Sequence, residues 1–194
     1  PAGTGKTFLA AESAQREVAQ GRAGRLLCFN RLLGRSLREK LMDVVGLRVG
    51  TLHQEMLRLA GMSGPPADAD SDFWERVLPE KALEGLAERS AEEVGDFLIV
   101  DEIQDIATGT YLDLLDLLVK GGLRDGRVLM FGDFERQAIY GSEGAREVLR
   151  ARSPHLASFR LSENCRNLPR IGYQVNLLGH LTPGFREFRR TDDG

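Results

Sequence analysis

The sequence predicts an α/β fold: a parallel β-sheet flanked by helices, with a small helical insertion. Three observations carry this. Short apolar runs recur at residues 26–29, 97–100 and 128–131, with a further strand candidate at 47–51 and stretches of helical periodicity between them, and strands alternating with helices make a parallel sheet. The run Phe97-Leu98-Ile99-Val100 is apolar without alternation, as suits a central strand covered on both faces. It then runs straight into Asp101-Glu102-Ile103-Gln104-Asp105, placing polar side chains beyond a strand end, where ligands of open α/β sheets collect.

The chain opens on Gly3-Thr4-Gly5-Lys6-Thr7, which fits the end of the phosphate-loop consensus G-x-x-x-x-G-K-[ST]. The first glycine of that consensus would fall one residue before Pro1, so the chain is expected to start inside the motif, after the strand that should precede it. In such a loop glycines let backbone N–H groups approach phosphate oxygens, and the helix N-terminus favours negative charge. Lys6 reaches the terminal phosphates and Thr7 ligates Mg2+. Gly3, Thr4, Gly5, Lys6 and Thr7 are therefore candidate nucleotide-binding residues.

Residues 6–20 read as the following helix, stopped by Gly21 and Gly24. After the 26–29 strand, Asn30-Arg31 begins a turn. Leu32, Leu33, Leu37 and Leu41 then mark an amphipathic helix, with Arg35, Arg38 and Lys40 on its solvated face. The 47–51 strand leads through Thr51-Leu52-His53 into a helix bearing Met56, Leu57 and Leu59. Residues 61–72 are rich in Gly, Pro, Ala, Asp and Ser, an exposed loop. Residues 73–89 return to helical periodicity with an interruption expected at Pro79; Trp74, in the apolar stripe, reads as core. Residues 61–95 thus form the insertion. Past the 97–100 strand, if strand geometry continues, Asp101 and Glu102 point to opposite sides, so one can hold a metal while the other handles a proton. Residues 111–119 form a helix with a wide apolar face, ended by Gly121-Gly122. The 128–131 strand again runs into polar residues, Gly132-Asp133-Phe134-Glu135-Arg136-Gln137. Phe159 and Leu161 mark a last strand before Ser162-Glu163-Asn164-Cys165-Arg166, and a helix follows over 168–178.

Composition bounds the function. With 194 residues, 42% of them hydrophobic, one substantial core is the default. A net charge of −3 gives no global basic field, leaving only a local groove for nucleic acid. Cys28 and Cys165 lack metal-ligand spacing and read as reduced structural thiols of a cytoplasmic protein. No apolar run approaches a membrane span and no signal peptide is visible.

Four strand ends deliver polar clusters in chain order, and together they resemble superfamily 1 helicases of the UvrD/Rep type. Gly-Thr-Gly-Lys-Thr looks like their motif I and Cys28-Phe29-Asn30-Arg31 like motif Ia. Thr51-Leu52-His53 resembles the segment that touches single-stranded DNA. Asp-Glu-Ile-Gln-Asp matches motif II, residues 132–140 resemble motif III, and residues 161–166 resemble motif IV. The resemblance implies a RecA-like phosphate-loop NTPase fold that binds ATP and Mg2+. Asp101 would hold the metal with Thr7, Glu102 would orient and deprotonate the attacking water, and Gln104 belongs to the nucleotide site. Gln137 would sense the γ-phosphate and Arg166 would act as an arginine finger in cis. Asn30, Arg31, Thr51, His53 and Tyr140 would contact single-stranded DNA, or RNA. Phe29, one place later than the family's aromatic, is turned to the other face by strand alternation and is expected in the core.

About 47 residues separate His53 from Asp101. The insert resembles the reduced version seen in compact relatives, including those that accompany nuclease-related domains. Residues 1–167 are then the motor domain and 168–194 the start of a connection toward a second RecA-like domain, without which the chain should bind nucleotide weakly and unwind nothing. Two other classes share the phosphate loop: a phosphotransferase, which would need an acceptor-binding lid, and a non-catalytic interaction module derived from a helicase.

Overall fold

The structure is a computed structural model that describes residues 3–88, 93–106, 109–133, 143–178, 185 and 187–189. Its centre is a four-stranded, wholly parallel sheet of β1 (Gly24–Cys28), β2 (Leu47–Thr51), β3 (Phe97–Asp101) and β4 (Val128–Phe131), in the order β2-β1-β3-β4. The helices of the first half are α1 (Lys6–Ala19), α2 (Arg31–Lys40), α3 (Leu52–Leu59) and α4 (Leu78–Glu88). Those of the second half are α5 (Gly109–Leu117), α6 (Gly122–Asp125), α7 (Glu143–Arg152) and α8 (Pro169–Leu178). The expected parallel α/β sheet flanked by helices is the fold observed.

Alternation along the central strands divides the core into two layers. Phe97 and Ile99, with Leu26 and Cys28, face Ala10 and Ala14 of α1 and Leu37 of α2. Leu98 and Val100, with Leu27, face the layer built from α3, α4 and α5. All five residues of β1 and of β3 are buried, which is why these two strands lack the polar alternation of a one-sided sheet. The small Ala10 and Ala14, fully buried and one helical turn apart, let α1 lie close against the sheet. Gly34 does the same for α2: a Cβ there would stand 2.9 Å from Thr51 Cγ2 and 3.3 Å from Cys28 Sγ.

The starts of the strands carry a buried ion network. Arg25, second residue of β1, is 3% exposed; it donates to Glu55 of α3 at 2.7 Å and to Glu93 at 2.8 Å. Arg58 reaches both acids as well, and Arg48 also pairs with Glu93. Isolated charges could not be buried here, but three guanidinium forks satisfy both carboxylates.

Two expectations are corrected. Pro79 does not interrupt its helix. A π-helical turn over Phe73–Val77, in which the Leu78 N–H bonds back to the Phe73 carbonyl, leads directly into α4, and the buried proline sits in the first turn after this register shift, where its missing N–H costs little. Phe159 and Leu161 do not form a strand. That pair is too short to secure a place in the sheet, Phe159 is 89% exposed, and the ladder forms just beyond it. There β5 (Glu163–Asn164) pairs with β6 (Glu187–Phe188) in a separate two-stranded sheet. No described helix is long and apolar enough to cross a membrane.

Candidate nucleotide site and aromatic groove

The parity of β3 places its last residue. Asp101 shares a face with Phe97 and Ile99, the α1 side, and is fully buried. Thr7, in the first turn of α1, donates its hydroxyl to Asp101 Oδ2 at 2.6 Å across 94 positions of sequence. The phosphate-loop end and the strand-end carboxylate are thus one site. Burial pushes the Asp101 carboxyl above its usual range and the neighbouring Glu102 charge adds to this, against the opposing effects of the Thr7 bond and Lys6.

The N-terminus of α1 has no side-chain cap, and the backbone N–H groups and dipole of a helix start favour an anion. Gly5 caps it in the left-handed region at φ 81°, and a Cβ there would meet nothing within 4 Å. Gly3, at φ 87°, is hemmed in instead: a Cβ would come within 3.1 Å of Asn164 Oδ1 and 3.4 Å of Arg166 Cβ. The Cys165 N–H donates to the Gly3 carbonyl at 2.9 Å, and the fully buried Asn164 caps its own turn by accepting from the N–H groups of Arg166 and Asn167. Arg166 therefore stands, exposed, beside the phosphate loop although its segment is not a strand of the main sheet.

Glu102 departs from the strand reading. β3 ends at Asp101, and Glu102 takes φ 55°, ψ 46°, making it the one non-glycine at positive φ among the described residues. An L-residue held there costs on the order of 1–3 kcal/mol and persists where its surroundings over-determine it. The Glu102 N–H donates to Asp101 Oδ1 at 3.1 Å. Gln104 Nε2 donates to Glu102 Oε2 at 2.7 Å and to Asp105 Oδ2 at 3.3 Å, while Gln104 Oε1 accepts from the Asp133 N–H at 2.9 Å. The Gln104 amide thereby clamps the Glu102 carboxylate and ties it to the end of β4. Gln137 and Tyr140 lie outside the described residues.

A second feature lies across the sheet. A cavity of about 560 Å³ opens at the ends of β1 and β2, lined among others by Phe29, Arg31, His53, Trp74 and Tyr111. His53 is its hub, with ring centroids 5.1 Å from Phe29, 5.0 Å from Trp74 and 5.9 Å from Tyr111. Tyr111 gives its proton to the Trp74 carbonyl at 3.0 Å, so at the 3.3 Å contact His53 Nε2 is the donor. Burial holds the His53 pKa below its ordinary value, leaving the ring neutral near pH 7. Phe29 is on the face that alternation dictates, yet it is 37% exposed rather than core, because the strand ends one residue earlier. Trp74 is half-buried and both packs on the core and walls the cavity.

Two other candidate contacts have structural duties. Asn30 Oδ1 caps α2, accepting from Leu32 and Leu33 N–H. Thr51, 1% exposed, caps α3 in a capping box with Gln54. Arg31 remains exposed at the cavity mouth. Sequence reasoning missed Tyr111 as a site residue and assigned Trp74 to the core; the phenol and indole lie 58 and 21 positions from His53, and only the packing of the helical segment against α5 brings them together.

The site so assembled, a phosphate loop on one helix and acids at the end of an inner parallel strand, defines a phosphate-loop NTPase-like domain. Residues 1–143 match the AAA domain family, a domain found in superfamily 1 helicases of the UvrD/Rep type, and the chain belongs to that family. No curated protein matches it.

Proposed function

We propose that this chain is the ATP-hydrolysing motor domain of a superfamily 1 helicase, coupling hydrolysis to movement along single-stranded nucleic acid. The observation that carries it is the 2.6 Å bond between Thr7 and Asp101, which closes the phosphate loop onto the strand-end acids. The donor set fits Mg2+: a hydroxyl and a carboxylate are hard oxygen ligands, and a divalent cation would favour the ionised form of a carboxyl that burial and the Glu102 charge push upward. Thr7 and Asp101 would hold the ion, whose chemistry is to neutralise charge on the phosphates. The backbone of Gly3, Thr4 and Gly5 cradles phosphate oxygens and Lys6 contributes its charge. Glu102, held by Gln104, accepts the proton of the attacking water. Arg166, beside Gly3, neutralises charge as the terminal phosphoryl group leaves. Gln137 and Tyr140 retain the roles their motif implies. The partners would be a single strand on the aromatic groove and a second RecA-like domain, with a fused nuclease domain as a further candidate.

The test is nucleotide binding and turnover by the intact protein with Mg2+. Lys6→Ala should abolish binding, whereas Glu102→Gln should bind and fail to hydrolyse. Single strands should stimulate turnover. Stimulation by a small-molecule acceptor instead would identify a phosphotransferase, and binding of nucleic acid with no turnover under any condition would identify a non-catalytic module.

A further inference from the structure

Resting on the motor reading above, we infer that Asn164 is a positioning residue for the proposed hydrolysis. It locks Arg166 to the phosphate loop, so that the arginine and the loop that would hold the nucleotide keep one geometry.

Asn164 is the junction of three pieces of chain. Its backbone is pinned from beside β6, where the Arg189 N–H donates to the Asn164 carbonyl at 3.0 Å. Its side-chain Oδ1 accepts from the N–H groups of Arg166 and Asn167 at 3.0 and 2.9 Å, which fixes the turn that carries Arg166. The residue between them, Cys165, ties that turn to the loop through the Gly3 carbonyl. Gly3 packs so closely that a Cβ there would come within 3.1 Å of Asn164 Oδ1 and 3.4 Å of Arg166 Cβ. A shift of the loop is therefore passed to the arginine through Asn164.

The amide itself is informative. Asn164 is fully buried, yet its Nδ2 finds no hydrogen-bond partner among the described residues. Two N–H groups on Oδ1 fix which end of the amide is oxygen, so the orphan is a donor, and a buried donor left unpaired is costly. An aspartate would accept the same two bonds without that orphan. It would also set a negative charge beside Arg166 and the phosphate loop, cancelling the charge that a leaving phosphoryl group needs. Asparagine supplies the acceptor and leaves the guanidinium uncompensated. Glu163, three positions before Arg166, is drawn off to the same effect: its carboxylate pairs with Arg189 at 2.7 Å.

The intact protein is assayed with ATP and Mg2+ for steady-state turnover and, separately, for nucleotide binding. Asn164→Ala, which frees the turn, should lower kcat about 10- to 100-fold, as loss of orientation does, with nucleotide affinity little changed. Asn164→Ser restores a neutral acceptor and should recover most of the rate, whereas Asn164→Asp keeps the cap, adds the charge and should stay slow. In an Arg166→Ala background Asn164→Ala should cause no further loss, because nothing remains to position. Thermal unfolding is the folding control, and if the alanine variant does not fold, the serine and aspartate pair carries the test. Unchanged kcat in Asn164→Ala, equal rates in Asn164→Ser and Asn164→Asp, or additive losses with Arg166→Ala would overturn the assignment while leaving the motor reading in place. Absence of turnover by the unaltered protein, with or without single strands, would remove the motor reading and this inference with it.

Discussion

Glu102 is held in a conformation that an L-residue adopts at a cost, and the side chain holding it is Gln104. If that hydrogen bond orients the carboxylate for water, Gln104→Met should lower kcat about 10- to 100-fold with KM little changed, the effect of losing the short bond to Glu102, with the longer bond to Asp105 and the bond from Asp133 lost alongside it. In a Glu102→Gln background the same substitution should cause no further loss. Steady-state kinetics of the two single variants and the double variant measure this, and additive losses would assign Gln104 a separate role. Nothing in the sequence announces this geometry: Asp-Glu-Ile-Gln-Asp shows acids at a strand end, but glutamate carries no preference for positive φ, so the turn at Glu102 is fixed by its neighbours. Cys28 is legible by contrast. It reads as a reduced structural thiol in an apolar strand, and it is free and buried; burial, reinforced by the charges of Asp101 and Glu102, pushes its pKa up to about 12.

At the scale of elements, α2 shows how two duties meet in one helix. Asn30 is its cap, so Asn30→Ala should cost about 1 kcal/mol of stability, read by thermal or denaturant unfolding; any loss of nucleic-acid affinity beyond that of a control cap variant measures a direct contact. Gly34→Ala would force a Cβ to 2.9 Å from Thr51 Cγ2. Overpacking of this kind costs about 1–3 kcal/mol, and because α2 would move off β2 it should also disturb the Arg31 groove. Four main strands and the helices that follow were readable because each apolar run is bounded by polar or glycine residues and each helix keeps one apolar face. The Phe159–Leu161 strand failed because two apolar residues specify a pattern without a partner edge. The helix through Pro79 was misjudged because a π turn, invisible to a period of 3.6, absorbs the proline. The aromatic cavity was unreadable for a further reason: contacts spanning 21 to 58 residues leave no local trace, whereas the nucleotide site was legible because its two halves are contiguous motifs whose meeting the parallel sheet guarantees.

For the whole molecule, stability depends on the buried network at the strand starts. Arg58 and Arg48 hold the Glu93 carboxyl down to about 2, below its ordinary 4.5. Burial works to raise Glu55, but its bonds to Arg58 and Arg25 outweigh this and leave it lowered too. The stabilisation from Glu93 is therefore fully present above pH 4.5 and is lost as pH falls toward about 2, on the order of 3 kcal/mol over that window. Urea unfolding at a series of acid pH values should show this decline, and Glu93→Gln should flatten it. Arg25→Met, which strips one partner from two buried acids, should destabilise by about 3–5 kcal/mol at neutral pH.

The alternation within β3 works as a ruler with only two settings. One extra residue inserted between Phe97 and Asp101 would carry the carboxylate through the sheet to the compartment of Leu98 and Val100, out of reach of Thr7. Two extra residues would restore the side but advance the acid by about 7 Å. Length variation in this chain should accordingly be confined to the loops and the helical segment after α3, and a viable variant of β3 itself should change side chains but never their number.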